Sequence, residues 1–158
     1  MCKVIQTLGI ICEDGKILLG MKKRGFGEGR WNGFGGKVKK GERLGEALKR
    51  EFLEETVLTI LQCEEVGVIN FHFADKPFQP EVHIFRITKY EGEPIESDEM
   101  KPEWFDISEI PYDSMWPDDQ YWLPLFLKGR KVGGDVYFAK DGSISSHDIH
   151  SVEPEHRE

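Results

Sequence analysis

The chain has 158 residues, the size of one domain with a real core, and its hydrophobic (39%) and charged (32%) fractions mark a soluble globular protein. A net charge of −8 excludes a protein that coats a nucleic-acid polymer. Three scattered cysteines, Cys2, Cys12 and Cys63, suit reduced thiols in the cytoplasm better than a disulfide framework or a zinc site.

The N-terminus, MCKVIQTLGIIC, is apolar but carries Lys3 and Gln6, so it reads as neither a signal peptide nor a membrane span. Residues 4–12 and 16–21 are expected to be paired strands, because Asp14-Gly15 between them is a strong hairpin signal. Eight glycines then fall between Gly20 and Gly41, so this run is expected to be a loop that brings backbone close to a ligand. Residues 43–56 are rich in helix formers and contain a single glycine, Gly45, which predicts a helix. Residues 66–73 and 81–88 read as strands joined by a loop holding Pro77 and Pro80, and residues 102–105 as a further short strand. Turns follow around Pro111 and Pro117, then a second helix over 121–127 and a final hairpin, 136–139 with 143–149, around Asp141-Gly142. The expected outcome is one mixed α/β domain without repeats or linkers.

The charge is uneven. Between Lys16 and Lys40 eight basic residues face one acidic residue, Glu28, so the rest of the chain carries about −15. A basic loop on an acidic protein suggests a small anion, although a solvated loop that binds nothing has the same composition. On the helix that follows, 100° per residue puts Glu51, Glu54 and Glu55 within an arc of about 100°, bordered by Leu48 and Phe52. Bare like charges so spaced destabilise a helix by roughly 0.2–0.5 kcal/mol per pair, whereas a hard divalent cation would reverse the sign. An exposed acidic face remains the alternative. Gly35-Gly36 with Lys37, Lys39 and Lys40 adds backbone donors and positive charge beside the carboxylates, which is what a metal-bound polyphosphate requires. A P-loop is excluded, since it would need glycine at Trp31 and Ser or Thr at Val38. A dinucleotide fingerprint is excluded too, because it should open the helix directly after a strand.

Gly36, five residues, Glu42, seven residues, then Arg50-Glu51-Phe52-Leu53-Glu54-Glu55 resembles the Nudix box of nucleoside-diphosphate-linked-moiety hydrolases. GMKKRGFGEGRWNGFGGKV, ESDEM and MWPDDQYW extend the resemblance, from about Leu8 to Leu127, to the animal MutT-like branch that clears oxidised purine nucleoside triphosphates. One position departs: Val57 stands where the box usually has glycine. A β-branched residue in a left-handed conformation costs on the order of 1–2 kcal/mol, so the helix end is expected to be rearranged.

The resemblance implies the Nudix fold, a mixed β-sheet sandwiched between helices (α/β/α), over residues 1–150, with residues 151–158 a disordered tail. It implies Mg²⁺, replaceable by Mn²⁺, held by the Gly36 carbonyl with Glu51, Glu54, Glu55 and Glu99. It implies a catalytic group of Glu51, Glu55, Glu99 and Arg50, with the general base either Glu55 or Glu99 and Arg50 a structural partner of a box carboxylate, with Glu42 the candidate. The substrate, an oxidised purine nucleoside triphosphate such as 8-oxo-dGTP or 2-hydroxy-dATP, would meet Thr7, Lys22, Phe26, Asn32, Phe34, Gly35, Lys37, Phe71, Trp116, Asp118 and Asp119. Attack at the β-phosphorus would release pyrophosphate and a monophosphate. A cytoplasmic monomer without membrane or nucleic-acid partners is expected. The alternatives are a hydrolase of another nucleotide, such as a methylated purine triphosphate or a dinucleotide, or a weakened binding module, for which Val57 is the one sign.

Asp118 and Asp119 sit side by side among Trp116, Tyr121 and Trp122. Rings exclude the water that would screen them, which disfavours double ionisation, so one is expected to stay protonated near neutral pH and present a donor beside an acceptor. Capping the helix that follows is the competing role.

Overall fold

A computed structural model describes residues 2–152. Strands β1 (Cys2–Glu13) and β2 (Lys16–Lys22) form the expected hairpin. Asp14 and Gly15 both take positive φ, 52° and 76°, the backbone that a two-residue turn matching strand twist requires. The glycine-rich run contains only a two-residue strand, β3 (Trp31–Asn32), before helix α1 (Leu44–Thr56). Strands β4 (Thr59–Phe73), β5 (Phe78–Glu91) and β6 (Met100–Asp106) follow. Two single-turn 3₁₀ segments, Ile107–Glu109 and Tyr112–Ser114, lead to helix α2 (Asp119–Leu127) and the closing hairpin β7 (Lys131–Phe138) and β8 (Ile144–Val152).

The strands run in the order β3-β2-β1-β5-β4-β7-β8, with β6 on β2. The sheet is mixed: β1–β5 and β4–β7 are parallel, the other pairs antiparallel. Alternation along the strands feeds two cores, since successive side chains point to opposite faces. Ile11, Leu18 and Phe85 meet Leu48 and Phe52 of α1 on one face, while Ile10, Leu19 and Ile84 meet Trp122, Leu123 and Phe126 of α2 on the other. The sheet therefore lies between the two helices, as the resemblance implies.

Four expectations change. Strands β4 and β5 are longer than their apolar runs, because ladder pairing carries through polar Gln62, Glu64 and Glu65 with local register shifts. Pro80 belongs to β5, opposite Val4, since proline's fixed φ is compatible with an extended strand. Ser151 and Val152 complete β8 rather than begin a tail; residues 153–158 lie outside the described residues. The end of α1 is not rearranged. Val57 itself takes the left-handed conformation, φ 60° and ψ 11°, and its N–H bonds to the Leu53 carbonyl at 3.1 Å.

Candidate active site

Arg50 organises the loop–helix pair. Its Nε donates to Glu42 Oε2 at 2.7 Å, one Nη2 contact reaches Glu42 Oε1 at 3.0 Å, another reaches the Lys37 carbonyl at 3.0 Å, and Nη1 donates to Glu51 Oε1 at 2.9 Å. A planar guanidinium alone presents donors in such a fork. Arg50 hydrogen bonding holds the Glu42 carboxyl down at about 2. Arg50 is thus the structural partner expected, tied to Glu42 and outside the cavity lining.

The glycine pair is packed against the strand and the helix. Gly36 accepts the Thr7 N–H at 2.9 Å, and Gly35 donates its N–H to Glu55 Oε1 at 3.0 Å. A Cβ on Gly35 would lie 2.0 Å from the Thr7 carbonyl oxygen, and one on Gly36 would lie 2.7 Å from the Glu51 carboxylate. At Gly35 the obstacle is fixed backbone, so no side chain fits; at Gly36 a side chain would have to displace the Glu51 carboxylate. Glu55 is buried, and burial followed by the charge of Glu51 pushes its carboxyl up to about 8. A cation placed between these carboxylates would oppose both effects.

The donor set is all oxygen, from carboxylates and one carbonyl, the chemistry suited to Mg²⁺ or Mn²⁺. Glu51, Glu55, Glu99 and Gly36 all line one cavity; Glu54 does not, and its exposed carboxylate approaches Arg50 Nη1 at 3.5 Å. Among the described residues no three acidic or imidazole side chains are gathered into a coordination shell of their own. Glu51 is turned to Arg50, and Glu99 lies 3.4 Å from Arg24.

The cavity, about 630 Å³, runs from these carboxylates to the aspartate pair. Thr7, Lys22, Gly35 and Lys37 line it at the loop and β1, and Phe26, Asn32, Phe71 and Trp116 also reach it. Phe26 is half exposed, with its ring 5.1 Å from that of Trp116. Asn32 is engaged locally, its Oδ1 accepting the Gly33 N–H at 2.9 Å. Phe34 is the exception. It is 1% exposed and packs on Phe52 in the α1 core, because its bridge to Gly9 aims the ring under the helix. The expectation that Phe34 contacts substrate is corrected accordingly.

Asp118 and Asp119 are 2% and 3% exposed. Asp118 takes the N-cap position of α2 but with helical φ and ψ and no side-chain cap hydrogen bond, so capping does not account for the pair. Instead Asp118 Oδ2 accepts the Trp122 indole N–H at 2.9 Å, and Asp119 Oδ2 is buried without a hydrogen-bond partner among the described residues. Burial pushes the Asp118 carboxyl up to about 6; burial and the neighbouring Asp118 push Asp119 well above the usual range. Tyr121, expected beside them, is 40% exposed and stacks on His147, 4.1 Å away.

Sequence reasoning missed several lining residues: Leu8, Arg30, Phe73, Phe78 and Phe138. The alternation that puts Phe71 on the cavity face of β4 also puts Phe73 there, so that residue was detectable. Arg30 and Phe138 reach the cavity through loop and sheet packing, which leaves no local signal. His83, in the VHIF strand, bonds Glu65 at 2.7 Å and Glu81 at 2.8 Å, a satisfied sheet residue away from the cavity.

Fold and site together define a class: an α/β domain in which a glycine loop and a carboxylate helix open onto one end of a nucleotide-sized cavity. The chain belongs to the NUDIX domain family, whose model matches residues 4–126. It is 49% identical over 147 residues to the oxidized purine nucleoside triphosphate hydrolase of Danio rerio, covering 93% of this chain and 94% of that one. It is 45% identical over 149 residues to the protein of the same name from Mus musculus, covering 94% and 96%. Among solved structures, the MutT protein from Bacillus halodurans superposes with a TM-score of 0.83 at 28% identity, over 92% of this chain and 97% of that one.

Proposed function

We propose that the protein hydrolyses oxidised purine nucleoside triphosphates, such as 8-oxo-dGTP and 2-hydroxy-dATP, to the monophosphate and pyrophosphate, and so sanitises the nucleotide pool. The observation that carries this reading is the single cavity that joins the box carboxylates to a buried aspartate pair. One end suits a metal-bound triphosphate and the other a purine edge. The activity printed for the fish and mouse relatives, which match almost the whole chain, supports the same reading.

The residues divide the work. A divalent ion, for which we propose Mg²⁺ with Mn²⁺ as substitute, would be held by the Gly36 carbonyl with Glu51, Glu55 and Glu99, and by Glu54 turned from Arg50, and would supply neutralisation of the triphosphate and acidification of water. Lys22 and Lys37, both on the cavity wall, add positive charge for the phosphates. Water adds to the β-phosphorus, its proton passes to Glu55 or Glu99, and the bond from that phosphorus to the oxygen bridging to the α-phosphate breaks. Trp116 and Phe71 offer ring faces to the base, and Asp118 with Asp119 offers a donor and an acceptor to its edge. Three free cysteines are consistent with a reducing, cytoplasmic setting, where we propose that the protein works as a monomer. Among the described residues no helix is long and apolar enough to cross a membrane.

The test is pyrophosphate release across a panel of unmodified, oxidised and methylated purine triphosphates and dinucleotides, with Mg²⁺ and with chelator. The proposal requires kcat/KM for an oxidised purine to exceed that for the unmodified parent and to fall with chelator. A preference for a methylated purine or a dinucleotide would overturn it.

A further inference from the structure

Arg30 lies in the glycine-rich run between β2 and β3 and lines the cavity, although nothing in the box chemistry uses it. Its guanidinium carbon stands 4.4 Å over the centre of the Trp116 ring, and its Nη1 donates to the Met115 carbonyl at 3.3 Å. One side chain therefore grips the Met115-Trp116 segment twice, by ring face and by backbone. The backbone of the run complements this: Gly27 has φ +88°, and a Cβ there would come within 3.3 Å of the Trp116 indole. Trp116 is thus pinned between the glycine run and Arg30, and Asp118 and Asp119 follow it directly in sequence.

We propose that Arg30 is a positioning residue that decides which purine the site accepts: it fixes Trp116 as a wall of the base slot and supplies the positive charge that faces the Asp118–Asp119 pair. The inference rests on the reading of the cavity as an oxidised-purine site. Geometry and charge make separate contributions. Stacking on the indole while donating to a carbonyl needs a planar, multiply donating cation, which arginine is and lysine is not. The charge acts on both aspartates, since the field of Arg30 favours their ionised forms against burial. The other groups facing the pair are the Trp122 indole, which donates to Asp118, and Tyr112, whose phenol is raised by burial and then by the charge of Asp119. Among the described residues Arg30 is the one cation acting on both carboxyls.

The two contributions separate in Arg30→Gln and Arg30→Lys, measured as kcat and KM for an oxidised and an unmodified purine triphosphate across pH. Arg30→Gln loses both, so KM for the oxidised substrate is expected to rise on the order of tenfold with kcat little changed. Its pH limb for kcat/KM should move upward, because the aspartate pair then holds its proton to higher pH. Arg30→Lys keeps the charge and should retain the wild-type pH limb while still raising KM. The proposal is overturned if Arg30→Gln leaves KM and pH limb unchanged while Asp118→Asn alters base preference. If Asp118→Asn and Asp119→Asn also leave base preference unchanged, the purine-site reading itself fails. A fall in kcat alone with unaltered KM would make Arg30 a general structural support and would equally overturn the proposal. Circular dichroism melting of both variants establishes that the comparison is made between folded proteins.

Discussion

Trp122 donates its indole N–H to Asp118 Oδ2 at 2.9 Å, one helical turn away, with donor and acceptor both buried. The bond satisfies one oxygen of Asp118 while Asp119 Oδ2, in the same buried environment, has no hydrogen-bond partner among the described residues. Two adjacent buried carboxyls cannot both ionise cheaply, so their titration belongs to the pair. An 8-oxopurine and a 2-oxopurine present different donor patterns, and in the proposed role moving one proton would let the pair meet either.

Asp118→Asn and Asp119→Asn are accordingly expected to change the ratio of kcat/KM between 8-oxo-dGTP and 2-hydroxy-dATP by roughly tenfold or more, since each leaves a buried polar group wrongly matched for one base. Each should also reshape the pH profile of kcat/KM. Rate profiles on both substrates from about pH 5 to about pH 9 check this. If both variants keep the wild-type preference and profile, the pair does not read the base.

The same pair predicts a pH-dependent stability in the ligand-free protein. Burial pushes the Asp118 carboxyl up to about 6 in the folded state against 3.8 as the unperturbed value, and Asp119 is also raised well above its usual value. The folded state therefore holds protons that the unfolded chain releases, so the stabilising contribution is complete below the unfolded value and is lost as pH rises through the folded values. Asp119→Asn keeps a neutral group at every pH. It is expected to be more stable than wild type at pH 8 by roughly 1–3 kcal/mol, with the difference vanishing in acid. Thermal melts across pH decide it, and a variant that is less stable at pH 8 contradicts the linkage.

Val57 stands at φ 60° with its side chain 47% exposed, so it carries left-handed strain with little packing in return. Val57→Gly should raise stability by about 1–2 kcal/mol. Its turnover should not fall, because Glu55 keeps its place on an unchanged helix end. A lower melting temperature than wild type would mean that the valine contributes contacts outweighing the strain.

Glu55 is held against the Gly35 N–H at 3.0 Å inside the cavity, where a carboxylate is available to a metal ion and to water. Glu55→Gln conserves shape and can still meet the loop, yet loses the charge. The fold should survive while kcat drops by roughly 10²–10⁴-fold. Near-wild-type kcat at saturating Mg²⁺ would remove Glu55 from the catalytic group.

Much was determined by local sequence. Asp14-Gly15 dictates its hairpin because few residues tolerate two successive positive φ angles, and the three glutamates share a helix face because 3.6 residues make a turn. The spacing from Gly36 to Glu55 identifies the loop and helix, and at Gly35 the backbone passes so close to the Thr7 carbonyl that only glycine fits. Local sequence also left capping open as a competing role for Asp118 and Asp119.

Tertiary structure decided the rest. Phe34 looks like a ligand-facing ring in a glycine loop, yet its bridge to Gly9 directs it under α1 into the core. Arg30 belongs to a solvated basic run by composition, and only the return of the chain at Met115 and Trp116 turns it into a clamp. Val57 is disfavoured by its own backbone preference, but a helix end bonded through its N–H to Leu53 and followed by buried Leu58 holds it left-handed. The raised proton affinity of the aspartate pair arises from burial that neither residue can achieve alone. The rings flanking the pair made that affinity legible in the sequence, but the near-complete burial depends on α2 packing on the sheet, a contact between segments distant in sequence.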